Sequence, residues 1–415
     1  MKRMVSVILL GLLSLSMFSA FASKVKAQQS TVDWWPTFRH DLTHTGYSTS
    51  TAPLTNQLLW NYTTGNSVAY SSPAVVDGVV YVGSYDDYVY ALDAATGAYI
   101  WSYKTGNEVD SSPAVANGIV YVGSEDDYVY ALNATTGTKM WSYGTGDEVE
   151  SSPAVADGIV YVGSDDHRVY AFNAGTGNKI WSYGTGNAVV SSPAVVEGVV
   201  YVGSEDDYVY ALNAATGSII WSYGTGDEVD SSPAIANGIV YVGSNDDNVY
   251  ALNATTGNKI WNFGTGNSVD SCPAVANGVV YIGSTDDNVY ALNAASGSKI
   301  WSYPTGNEVE SSPAIANGVV YVGSDDDNVY ALNATTGSTI WTYGTLYLVD
   351  SSPAVANGIV YVGSEDNNVY AFGAIAVPEF PNLALDFSLV AFMACAVFAL
   401  IVAKKKRING KMLQG

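Results

Sequence analysis

Cysteine is scarce in this chain: 415 residues hold two, Cys272 and Cys395, too few for a disulfide framework. Cations are scarce as well. Sixteen Lys and Arg stand against 39 Asp and Glu, a formal net charge of −23. That balance excludes nucleic acid, because a phosphate backbone needs basic side chains to displace its counterions. The three histidines, His40, His44 and His167, make no His-rich metal cluster. No nucleophile elbow, phosphate loop or vicinal cysteine pair occurs, and no segment of the middle has a helical period. Long apolar runs are confined to the two ends.

Those ends read as targeting devices. Lys2 and Arg3, the apolar stretch Val5–Phe18 and Ala20-Phe21-Ala22 make residues 1–22 an expected signal peptide, cleaved after Ala22. Residues 387–403 are apolar and are followed by Lys404, Lys405, Lys406 and Arg407. With Leu383–Asp386 they give about 21 residues, enough for a helix to cross a ~30 Å hydrocarbon core. The basic tail 404–415 should stay cytoplasmic. The rest is then expected outside, membrane-anchored on the outer face of the cytoplasmic membrane or at the cell surface. In the linker 374–386, Val377-Pro378-Glu379-Phe380-Pro381 resembles PEF-type sorting signals of exosortases and archaeosortases. That resemblance implies a sorting protease as a partner.

What fills the middle is repetition. Ser-Ser-Pro-Ala begins at Ser71, Ser111, Ser151, Ser191, Ser231, Ser271, Ser311 and Ser351, a strict 40-residue period with Cys272 as the one change. Within one unit, residues 110–117 read as a first strand and Asn117-Gly118 as a tight turn. Residues 119–124, 128–133 and 139–143 follow as three more strands, rich in β-branched and aromatic residues. Four short strands per ~40 residues are one propeller blade. The eighth unit stops after its third strand, at Tyr370-Ala371-Phe372, and a spare fourth strand, Leu58–Tyr62, precedes the first unit. Pairing the two closes a ring without an open edge there. The expected fold is therefore all-β, an eight-bladed propeller of four-stranded antiparallel blades over 58–373. A lead-in segment (23–57) precedes it and one transmembrane helix follows. The eight motif prolines, Pro73 to Pro353, are expected in the innermost strand, where a missing N–H is tolerated.

Val-Tyr-Val-Gly-Ser, Val-Tyr-Ala-Leu-Asn-Ala-x-Thr-Gly and then Trp, as in Val120–Trp141, resemble the PQQ-like (pyrroloquinoline-quinone) propeller repeat. The resemblance spans about 34–373 and includes Trp35-Pro36-Thr37-Phe38-Arg39. It implies that Trp60, Trp101, Trp141, Trp181, Trp221, Trp261, Trp301 and Trp341 dock neighbouring blades. The family's Asp-Gly turn is mostly Asp-Asp or Asp-Asn here. Quinoprotein dehydrogenases clamp their cofactor with a vicinal disulfide, tryptophan stacking, an arginine and calcium. This chain lacks the disulfide, and its repeats hold only six cations, so no PQQ cofactor is expected, and near-identical blades suggest no asymmetric catalytic pocket.

Alternation along the strands places the second-to-third turns and the blade-to-blade loops at one pole, gathering 31 of the 39 acids. Lys139, Lys179, Lys259 and Lys299 are expected on the opposite face, toward the membrane. Tyr70, Asp110, Glu150, Val190, Asp230, Asp270, Glu310 and Asp350 should ring the mouth of a central channel. Its six carboxylates, Asp110, Glu150, Asp230, Asp270, Glu310 and Asp350, suit calcium or a plain solvated acidic surface. Broken symmetry marks His167 and Arg168, and separately Tyr70, Tyr85, Leu346, Tyr347 and Leu348, as candidate partner or ligand sites. Asn61, Asn133, Asn253 and Asn333 are N-x-Thr sequons, candidate glycosylation sites that turn formation alone also explains.

These features set an expectation of a non-catalytic binding or scaffold module with an acidic outward face, not an enzyme, meeting cell-envelope proteins or glycans. A surface-layer or adhesion component with cation-linked packing is the alternative, and a quinoprotein-like oxidoreductase the third reading.

Overall fold

The computed structural model describes residues 32–374. The expected signal peptide, sorting motif, membrane helix, basic tail and Cys395 lie outside them. No helix among the described residues is long and apolar enough to cross a membrane.

Eight sheets form eight blades of four antiparallel strands, and in blade 7 Tyr47–Ser48 adds a fifth, parallel strand at the inner edge. Blade 2 is typical, with strands Ala114–Ala116, Ile119–Ser124, Tyr128–Asn133 and Lys139–Gly144 from axis to rim. Asn117 and Gly118 both have positive φ (51° and 75°), the hairpin turn whose twist matches the flanking strands. Asp127 (φ 68°) takes the left-handed position where the repeat family carries glycine, a conformation Asp and Asn tolerate best among side-chain-bearing residues. The two middle strands are buried on both faces because each blade is sandwiched between neighbours. The outer strand buries only its tryptophan.

The tryptophans dock blades as expected. Trp101 Nε1 donates to Ala134 O of the next blade at 2.9 Å, and Tyr81 OH donates to the same carbonyl at 3.2 Å. The Thr-Gly after each such alanine lies on the indole: a Cβ on Gly137 would come within 2.7 Å of Trp101. Closure is also as read. Leu58–Thr63 pairs antiparallel with Asn368–Gly373, setting Trp60 opposite Ala371. The eighth unit has no Ala-x-Thr-Gly connector, so Pro53 O supplies the missing acceptor, taking Trp341 Nε1 at 3.1 Å and Tyr321 OH at 2.8 Å.

Two expectations are corrected. First, the inner strand begins at Ala114, not at residue 110, and the proline sits just ahead of it. The Ser-Ser stretch bonds sideways instead. Ser71 Oγ donates to Ser111 O (3.1 Å) and Ser72 N to Ser112 Oγ (2.9 Å). The pattern repeats at every junction and closes with Ser351 Oγ to Ser71 O and Ser352 N to Ser72 Oγ. Cys272 fits because its Sγ still accepts, from Ser232 N at 3.1 Å.

Second, the axis is not a channel. The lead-in segment winds around inside it and offers carbonyls to inner-strand N–H groups that have no other backbone partner. Val75, Val115, Val195, Ile235, Val275 and Ile315 donate to Trp35, Pro36, Leu42, Thr43, Thr45 and Gly46 at 2.7–2.8 Å. Buried backbone donors require such acceptors. Arg39, 1% exposed, anchors this plug through Nη2 to Pro273 O at 3.2 Å.

Lys139, Lys179, Lys259 and Lys299 occupy one register position, the first residue after the third-to-fourth turn. Each stands on the outer strand of its own blade. Lys139 Nζ lies 5.8 Å from the Tyr130 ring centroid and 3.4 Å from Ser142 Oγ, because its stem covers apolar surface while its charge meets an aromatic face.

The serine girdle sets a stability test. Cys272→Ser should leave the urea midpoint nearly unchanged. Ser312→Ala should cost about 1–3 kcal/mol, because the buried Cys272 N–H loses its acceptor. Equal stability of the two variants would show that the girdle contributes nothing.

Candidate functional site

With the plug in place the axis becomes a cup of about 380 Å³. The eight residues that precede the Ser-Ser pairs all line it, as the repeat register implied. Below them stands a tier of second serines, with Cys272 in one place, and the floor is Phe38. Phe38 and Glu205 were not foreseen. Phe38 belongs to no repeat, and no spacing rule places a lead-in residue on the axis. Glu205 was legible in principle, since its turn packs beside the same loops: Asn187 Nδ2 donates to Glu205 Oε2 at 3.2 Å.

Each rim carboxylate stands on a loop that is tied both to the next blade's turn and to the turn of its own blade. Gly146 N donates to Asp166 Oδ2 at 2.8 Å and Thr145 Oγ1 to Asp127 O at 2.7 Å. These bonds hold the acids close together. Burial first, and neighbouring carboxylates second, push Asp350 up to about 9 and Asp110 to about 8. The same causes raise Glu150 and Glu310 to about 7, and Asp270 to about 6. Burial also raises Asp230. Tyr85 OH donates to Asp110 Oδ2 at 3.1 Å. Oδ1 of Asp110, Asp230, Asp270 and Asp350 is buried without any donor, as are those of Asp165 and Asp325 in the adjoining turns. Cations do not neutralise this rim. Among the described residues the one Lys–carboxylate ion pair is Lys104–Asp87, at 3.4 Å.

The other singled-out residues separate. His167 and Arg168 are exposed in the blade 3 turn. Leu346 (82% exposed) and Tyr347 (54%) stand out from the loop before blade 8, with Leu348 half-buried beside them. Tyr85 turns inward to Asp110 instead of joining them, and Tyr70, 49% exposed, lies at the cup mouth near Glu310 and Asp350. Asn133, Asn253 and Asn333 each use Oδ1 to cap the following turn, as in Thr136 N to Asn133 Oδ1 at 3.0 Å. Asn61 Nδ2 donates to Asn368 Oδ1 at 3.3 Å. In the plug, His40 lies between Asp33 (Nε2–Oδ1 3.2 Å) and Asp41 (Nδ1–Oδ2 3.6 Å). Burial works against its charge, yet the two carboxylates raise it.

The profile of the family described as outer membrane protein assembly factor BamB, a PQQ-type repeat, matches residues 46–183, 165–271 and 245–375. The chain belongs to this BamB family of PQQ-like propellers. Among curated proteins, none is significantly similar to it in sequence. Many solved structures are similar to this family member, among them the following three. A europium-containing methanol dehydrogenase is 16% identical, with a TM-score of 0.72 over 82% of this chain and 98% of the other. BamB from Moraxella catarrhalis is 19% identical, with a TM-score of 0.67 over 77% and 99%. A quinohemoprotein alcohol dehydrogenase from Comamonas testosteroni is 18% identical, with a TM-score of 0.72 over 84% and 82%.

At such identities the likeness shows the fold, and it corrects the functional expectation. The step from symmetric propeller to non-catalytic binding or scaffold module does not hold, because two of these three structures with the same fold are dehydrogenases by name. The reason is visible in this BamB-family propeller. Equal blades do not make an equal cup: Tyr70 and Val190 interrupt the carboxylates, Cys272 the serines, and Phe38 enters from outside the repeat.

The rim sets the sign of a pH dependence. Carboxylates raised in the folded state hold protons there that the unfolded chain has released, so their stabilisation is full below the ordinary carboxylate range. It is lost as pH climbs through about 6 to 9. Thermal unfolding in chelator should therefore show a midpoint several degrees lower at pH 8.5 than at pH 5. A midpoint that rises over that interval would refute the proton linkage.

Proposed function

We propose that this propeller binds a hard cation, calcium or a trivalent lanthanide, in its axial cup, and through the cation an oxygen-bearing small ligand. The set of buried rim carboxylate oxygens without donors carries this reading. An unpaired buried acceptor costs on the order of 1–3 kcal/mol, more when charged, and here several face one another. Two species relieve that cost, a proton or a metal ion. Near neutral pH the metal competes well, because the carboxylates titrate close to that pH. Carboxylate and hydroxyl oxygens are hard donors, and calcium accepts six to eight of them in flexible geometry, whereas magnesium demands a near-ideal octahedron.

The neighbours lend support of two kinds. One carries europium by name and two are named for alcohols, so the fold elsewhere holds a lanthanide and accepts hydroxyl compounds. The quinone in the repeat family's name is a different matter. Pyrroloquinoline quinone is a polycarboxylate, and seven carboxylates line this cup with no Lys or Arg among the lining residues. That lining does not fit a polyanion. The expected export of the chain would expose the cup to an environment where calcium modules work with a Kd of roughly 10⁻⁴–10⁻³ M.

Terbium tests the reading, since Tyr70 and Tyr85 at the rim can sensitise its emission. Titrated into the full chain at pH 7.5, terbium should give saturable emission under 280 nm excitation, displaced by millimolar calcium. Asp110→Asn with Asp350→Asn should weaken binding at least tenfold. No saturable emission, or emission indifferent to the double variant, would overturn the proposal.

A further inference from the structure

Two places on the rim hold three carboxylates whose oxygens all lie within 4.8 Å of one another: Glu148, Glu150 and Asp165, and Glu308, Glu310 and Asp325. They occupy the same positions of the repeat, four blades apart among eight, and so face each other across the axis. A third triad, Asp110, Glu125 and Glu150, adjoins the first and shares Glu150 with it. The same three positions are also acidic in Glu108, Asp110 and Glu125, and in the remaining blades the pattern is interrupted by Tyr70, Val190, Asn245, Thr285 or Leu348. The acids are thus not evenly spread around the ring.

Each sector also holds an aspartate more than nine-tenths buried with an orphaned oxygen. Asp110 is 7% exposed. Its Oδ2 is satisfied by Tyr85, but its Oδ1 is buried without a donor, and its carboxylate belongs to the group with Glu125 and Glu150. On the other side Asp350, 6% exposed, lies against Asp325, and Oδ1 of both is buried without a donor. A solvated acidic surface would leave its oxygens in water. These are withdrawn from water on carboxylates that lie among other carboxylates.

We infer that the rim seats two hard cations off the axis, one among Asp110, Glu125 and Glu150 and the other among Glu308, Glu310 and Asp325. The inference rests on the cation reading above and adds to it the number and position of the ions. Each seat offers three carboxylates, up to six oxygens if bidentate, which suits the large coordination shell of calcium or a lanthanide. The sectors between them, interrupted by Tyr70 and Val190, are left for a ligand to enter.

Calorimetric and luminescence titration of the full chain with terbium should give two ions per chain. Glu150→Gln and Glu310→Gln should each reduce this to one, and the double variant to none. Asp227→Asn lies on the same pole outside both seats, at a position where other blades carry Asn, and should still bind two. Glu→Gln keeps shape and removes repulsion, so melting in chelator should not fall; Glu125→Gln and Glu308→Gln provide a second, independent pair. One ion per chain, weakened alike by Glu150→Gln and Glu310→Gln, would mean a single axial ion and would overturn the two seats while sparing the cation reading. No binding by the unaltered chain would overturn both.

Discussion

Inner-strand backbone groups at the axis have no sheet partner, and the rest of the molecule is arranged around satisfying them. A four-stranded blade exposes a row of N–H and C=O groups along its innermost edge, and eight such edges converge on one line. At the level of the Ser-Ser pairs each blade binds the next, so the bonds run around the ring and close on themselves. One level on, the lead-in segment supplies carbonyls to six of the inner strands. A ring held this way is hard to open at one junction alone, because every serine is both donor and acceptor for its neighbours.

The same solution creates the site. A chain wound around inside the axis to satisfy backbone donors also seals it, turning a passage into a cup floored by Phe38. The loops that deliver each blade's first strand then stand as a collar around the opening. They are tied to the next blade's turn by backbone N–H donors to the turn aspartates and cannot splay outward to separate their charges. Electrostatic strain at the rim is therefore a consequence of how the ring closes. Protons or cations relieve it, and a partner carrying more negative charge would increase it.

Legibility in the sequence followed the range of the interaction concerned. Blade number, strand order and the closure by Leu58–Thr63 rest on local alternation and a fixed period and were readable, whereas the docking role of the tryptophans came from the resemblance to the PQQ-like repeat. So was the ring Asp110, Glu150, Asp230, Asp270, Glu310 and Asp350, because one register position in a closed circle has one radius and one height. The limits of the first strand were misread because Ser-Ser-Pro looks extended, and its bonds to another blade have no local sign. Lys139 and its equivalents lie beside the turn that the register gives them, and the tyrosine faces that meet their ammonium groups have no sign in the spacing. The functional expectation failed for a related reason. Symmetry in the repeat was carried over to the pocket, whose asymmetry comes from residues outside the repeat and from single substitutions at the rim.

What the residues determined by themselves is the repeating architecture and the gathering of 31 acids at one pole, since period-two strands and a 40-residue register leave those positions little freedom. The tertiary structure alone decided that the axis is sealed, that Phe38 and Arg39 lie beneath the cup, and which carboxylates come within a metal ion's reach. Those outcomes depend on contacts between distant segments, such as Arg39 with Pro273, 234 residues apart, and on side-chain distances of a few ångströms, which no spacing along the chain encodes.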